Sequence, residues 1–166
     1  KAVKIIFEDL ELVFKNGQDL QRRANMALAS DCAGLACTRA LVGYVHAIAH
    51  SLGRLYGVPH GEANAIVLPY ILEFSREACQ VRLARLAVVA KLGDSSEPKK
   101  ELSLRFIEKI KAMNADMDIP SKVDELKDAD IALIARRALR EGNPGYPVPK
   151  LMNQRDCENI LMRLLP

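Results

Sequence analysis

An all-α fold is predicted by three observations. Apolar residues recur at three- and four-residue spacing along most of the chain, cap and stop residues punctuate those runs, and no sustained period-two alternation bounded by turn residues appears. In the first run, Val3, Ile6, Leu10 and Val13 share one stripe from Ala2 to Lys15, and Asn16-Gly17 supplies the stop. Asp19 is placed to cap a second helix, whose small residues Ala24, Ala27, Ala33, Gly34 and Ala36 let neighbouring helices approach closely. Gly43 to Tyr56 reads as a third helix, and Gly57-Val58-Pro59 interrupts it. A fourth begins near Gly61 and is expected to bend or restart at Pro69, which puts His60 at a helix mouth.

Leu83, Leu86, Val89 and Ala90 keep helical spacing up to Gly93, and Gly93 to Ser96 is the least structured seam. Ser96-Glu97-Pro98 has the order of a cap followed by a proline at the first helical position, opening a helix that is expected to end near Met113. After a connection at Ile119-Pro120-Ser121, Asp128 is expected to cap a helix to about Arg140, closed by Gly142. Three prolines forbid regular structure from Asn143 to Lys150, and Asn153 with Asp156 resembles a capping pair for a last helix toward Leu165.

A chain of 166 residues, 49% hydrophobic and 27% charged, has enough material for one core, so a single domain over residues 1–166 is expected. The net charge of +3 is too weak and dispersed to argue for nucleic acid or an anionic membrane as a partner. No apolar run reaches the length that crosses a bilayer. Cys32, Cys37, Cys79 and Cys157 form no Cys-x-x-Cys pair and lie in apolar helical stretches; reduced, buried thiols and a cytoplasmic location are the expectation. The sequence opens at Lys1 directly in a helix, from which we expect a fragment whose upstream partner domain lies outside it.

All three histidines of the chain, His46, His50 and His60, fall within fifteen residues. A lone histidine on an apolar helix is usually a satisfied core residue, but the clustering of every histidine in the chain points to a site. His46 and His50 lie one helical turn apart and are placed to chelate one metal, while the glycines and proline between Gly57 and Gly61 allow His60 to turn back toward the same point. Which two ligate is left open by spacing alone. Imidazoles suit zinc or another borderline metal, and the one carboxylate nearby, Glu62, lies past the turn.

The stretch Gly43-Tyr44-Val45-His46-Ala47-Ile48-Ala49-His50-Ser51-Leu52-Gly53, with Tyr56-Gly57-Val58-Pro59-His60-Gly61-Glu62-Ala63-Asn64-Ala65 and Leu68-Pro69-Tyr70, resembles the second signature of the iron-containing (group III) alcohol dehydrogenases. The likeness extends more loosely over the whole chain. It implies the multi-helix C-terminal domain of the iron-containing alcohol dehydrogenase and dehydroquinate synthase-like fold, with the N-terminal nucleotide-binding domain absent here. By the same resemblance His46 and His60, fourteen positions apart, are metal ligands, and an aspartate and a histidine from an upstream helix complete the set. His50 is then the catalytic histidine, facing nicotinamide and substrate.

The implied cofactors are iron(II), with zinc possible in its place, and NAD or NADP. The implied reaction interconverts a small alcohol with an aldehyde or ketone, and the implied partners are the missing N-terminal domain and a second copy of the protein in a homodimer. The fragment by itself is expected to be inactive and to hold metal weakly. Arg54 departs from the family's pattern of a small residue after Leu52-Gly53; it lies four positions from His50 and is expected either to face the site or, more simply, solvent. The competing reading is a stand-alone helical interaction or metal-binding module without catalysis.

Overall fold

The computed structural model describes residues Lys1–Pro166 and contains helices and loops without strands. Seven α-helices occur: α1 (Ala2–Lys15), α2 (Leu20–Ala40), α3 (Tyr44–Tyr56), α4 (His60–Val89), α5 (Lys99–Asp116), α6 (Ile131–Gly142) and α7 (Gln154–Met162), with a 3-10 turn at Asp128–Asp130. No single helix is long and apolar enough to cross a membrane. The chain divides into two compact units, one of Lys1–Leu41 with Cys79–Met117, the other of Val42–Ala78 with Asp118–Pro166.

The first unit contains α1, α2, the later part of α4 and α5. Asp19 caps α2 by accepting a hydrogen bond from the Arg22 amide at 3.1 Å, as its position before the helix predicts. Asp9 on α1 is buried, a costly place for a carboxylate, and is satisfied by Arg22 and by the Asn25 side-chain amide at 2.8 Å. Phe7 stacks on Phe106 of α5 at 5.2 Å, and Lys109 bridges to Glu11 at 2.8 Å. The small residues of α2 do not become a packed seam. Ala29 is the one buried residue of that helix, and Leu20 and Leu35 are exposed. For the same reason Cys37 is exposed and Cys32 half-buried; Cys157 alone among the four thiols is buried.

The second unit holds the larger apolar core, in which Ala47, Ile48 and Leu52 of α3, Ala63, Ile66 and Val67 of α4, Ile134 and Ala138 of α6, and Leu161 of α7 meet. α3 starts at Gly43 and stops at Gly57, whose left-handed backbone (φ 73°) suits a residue without a side chain. Gly61 has no positive φ, so the turn rests on Gly57 alone. The tyrosines at the two ends of α3 reach the two ends of α6. The Tyr44 hydroxyl donates to Asn143 and accepts from the Met152 amide at 3.1 Å, while the Tyr56 hydroxyl donates to Asp130 at 2.7 Å.

Three boundaries differ from expectation. α4 passes through Pro69 within helical dihedrals and breaks at Cys79 (φ −123°, ψ 19°), where the chain changes unit. Pro69 is buried among the core residues of α4, whose packing holds the helix despite the lost amide. α5 starts after Pro98 without a side-chain cap, because Asp94 and Glu97 bond within the preceding loop, and it continues to Asp116 instead of ending near Met113. Asp128 opens a 3-10 turn and α6 begins at Ile131, whereas α7 has the anticipated capping box between Asn153 and Asp156.

Candidate metal centre

The elbow between α3 and α4 brings the histidines together. His46 and His50 project from successive turns of α3, and His60 is the first residue of α4, with Gly57, Val58 and Pro59 between it and the end of α3. The ring centroids of His46 and His60 are 5.3 Å apart with planes tilted by 57°; His50 and His60 are also 5.3 Å apart, but nearly parallel at 18°. His46 and His50 stand edge to face at 5.9 Å.

Each ring has distinct surroundings. His46 is half-buried, and its pKa lies below the ordinary 6.5, first because burial disfavours the charged ring and then because His60 and His50 repel a proton; Glu141 opposes the shift. His50 is more open and bonds through Nδ1 to Glu141 Oε1 at 2.8 Å. The same oxygen accepts the Tyr146 hydroxyl at 2.7 Å, a bond that raises the Tyr146 pKa, with burial as the second cause. The Asn64 side-chain amide donates to the His60 carbonyl at 2.7 Å. Its nitrogen also lies 3.4 Å from Nδ1 and 3.2 Å from Nε2 of His60, too even a placement for a lone-pair bond to either. Arg54 is exposed.

The donor set can be tested against a metal. Two imidazoles sharing one ion at the usual ~2.1 Å metal–nitrogen distance place their centroids about 5 Å apart, with lone pairs converging from tilted planes. His46 and His60 have the separation and the tilt, whereas the rings of His50 and His60 have the separation but lie nearly parallel. No group of three or more histidine, cysteine, aspartate or glutamate side chains is arranged to hold an ion. The chain thus offers at most a pair of imidazole donors at this elbow, fewer than a closed coordination set needs.

Glu141 and Tyr146 escaped the sequence reading. Glu141 lies 91 positions from His50, and nothing in the local pattern at the end of α6 distinguishes it from a solvated charge. Glu62, the carboxylate next to the histidines in sequence, makes no bond to any of them.

Residues 1–165 match the family model described as Fe-containing alcohol dehydrogenase family, C-terminal. The chain is 34% identical over 164 residues to 1,3-propanediol dehydrogenase of Citrobacter freundii, covering 96% of this chain and 42% of that protein. It is 35% identical over 144 residues to alcohol dehydrogenase 4 of Saccharomyces cerevisiae, covering 85% of this chain and 36% of that one. Among solved structures, a 1,3-propanediol oxidoreductase superposes with a TM-score of 0.92 at 32% identity, over 98% of this chain and 43% of its own. An alcohol dehydrogenase from Oenococcus oeni gives 0.91 at 33% identity, over 98% and 43%. The chain spans less than half the length of these relatives, and over that span it belongs to the iron-containing alcohol dehydrogenase family, as the helical C-terminal part.

Proposed function

We propose that this chain is the metal-liganding half of a two-domain dehydrogenase that interconverts a small alcohol with its aldehyde or ketone, using NAD or NADP bound mainly by the other domain. The observation that carries the reading is the pairing of His46 and His60 across the α3–α4 elbow, 5.3 Å apart and tilted, within a chain matched to the family along its whole length. His46 and His60 hold a divalent metal, iron(II) in the first instance, together with ligands from outside this chain. When bound, the metal supplies Lewis acidity at the substrate oxygen and the nicotinamide gives or takes the hydride.

The remaining work falls to this chain's own groups. His50 stands beside both proposed ligands with Nδ1 occupied by Glu141, leaving the Nε2 edge to hold or pass the hydroxyl proton. His46 is kept neutral by its burial and its neighbours, which preserves a lone pair for coordination.

Three substitutions in the full-length protein test these roles. His46→Ala and His60→Ala are expected to lose bound metal and activity together. His50→Ala is expected to retain metal, measured by elemental analysis, and to lower turnover about 10²-fold, the usual scale of a positioned proton carrier. Equal metal loss in all three variants overturns the division of labour.

A further inference from the structure

We infer that Glu141, braced by Tyr146, is a positioning residue that fixes the tautomer and ring orientation of His50. The inference rests on the proposed role of His50 in proton handling, and its chemistry follows from one contact. An ionised carboxylate only accepts hydrogen bonds, so the 2.8 Å approach of Glu141 Oε1 to Nδ1 requires the proton on Nδ1. In the neutral ring the lone pair then resides on Nε2, the nitrogen left without a protein partner. An unconstrained neutral histidine favours the opposite tautomer, with the proton on Nε2, and would present a donor where the alcohol proton needs an acceptor.

Two further observations show that the carboxylate is held in place. The Tyr146 hydroxyl donates to the same oxygen at 2.7 Å, so Oε1 is fixed between two donors. The backbone on which Glu141 sits is tied down two residues later, where Asn143 accepts from the buried Tyr44 hydroxyl. On its other side the His50 ring lies nearly parallel to His60, which limits rotation. Partners of this kind, one bond removed from the reacting groups, typically change activity by about 10- to 100-fold when removed.

The first test needs no turnover. Long-range proton–nitrogen correlation spectra of the 166-residue chain, at a pH where the histidines are neutral, are expected to show His50 as the Nδ1–H form. Glu141→Ala should shift it toward Nε2–H, Glu141→Gln should retain Nδ1–H because its amide oxygen still accepts, and Tyr146→Phe should fall between them. Melting curves identify any variant that fails to fold, and the side chain of Glu141, 33% exposed, lies outside the apolar core. In the full-length metal-loaded protein, Glu141→Ala should lower kcat by about 10- to 100-fold with KM little changed, and Glu141→Gln should restore most of the rate. A Glu141→Ala variant that keeps the Nδ1–H form, or Ala and Gln variants that lose rate equally, overturns the inference. A full-length wild-type protein without alcohol oxidation would instead refute the proposed function, and the spectra would still decide the tautomer.

Discussion

Replacing Gly57 tests whether the elbow that pairs His46 with His60 is set by backbone conformation alone. Gly57 has φ 73°, and a Cβ built there meets nothing within 4 Å. Packing therefore contributes nothing to the cost of a side chain, which comes from the left-handed backbone. For alanine that cost is about 1–2 kcal/mol, reduced by roughly 0.5–1 kcal/mol because alanine has less unfolded-state freedom to lose. The net expectation is about 1 kcal/mol. Asparagine, which tolerates this region better, should cost less, and valine, with its branched Cβ, more. In urea unfolding with a slope of ~2 kcal/mol/M, the alanine variant should lower the midpoint by about 0.5 M. The stability order Gly, Asn, Ala, Val is the result to look for. An alanine variant as stable as the parent, or an asparagine variant weaker than alanine, would show that something other than φ holds the elbow.

Further expectations follow from burial and charge. Leu52→Ala, at a fully buried core position, should destabilise by about 2–5 kcal/mol in the same assay. Leu35→Ala on the exposed face of α2 should stay within roughly 0.5 kcal/mol. Because the folded pKa of His46 is depressed below 6.5, the unfolded chain takes up a proton before the folded chain does; its contribution to stability is present above that value and is lost as the pH falls through the folded pKa. His46→Gln should flatten that part of a stability-versus-pH curve. Thiol labelling should modify Cys37 readily and spare Cys157 in the folded chain, since burial pushes the Cys157 pKa up to about 12; rapid labelling of all four cysteines would contradict the burial pattern.

Much of this architecture was legible because it is written locally. Asn153 and Asp156 announce their capping box by spacing, Gly57 marks the end of α3, and the three histidines draw attention by clustering. The misses share a different origin. Pro69 carries the strongest local signal for a break, yet the chain bends at Cys79, where no breaker stands and where it leaves one packed unit for another. α2 has the composition of a packed helix, but composition does not tell which face acquires a neighbour, and Cys37 stays exposed as a result. Glu141 meets His50 only through the pairing of α3 with α6, a tertiary event with no trace in either segment alone.

The tyrosines at the ends of α3 bear on how α3 and α6 can shift against one another. Tyr44 and Tyr56 stand twelve positions apart, and their partners Asn143 and Asp130, the residues that flank α6, thirteen apart, so the pair is fastened at both extremities over roughly 18 Å of helix. A slide of one turn, ~5.4 Å, would undo both fastenings at once. Lengthening or shortening either helix by a single residue is the alteration that such a doubly fastened pair tolerates least.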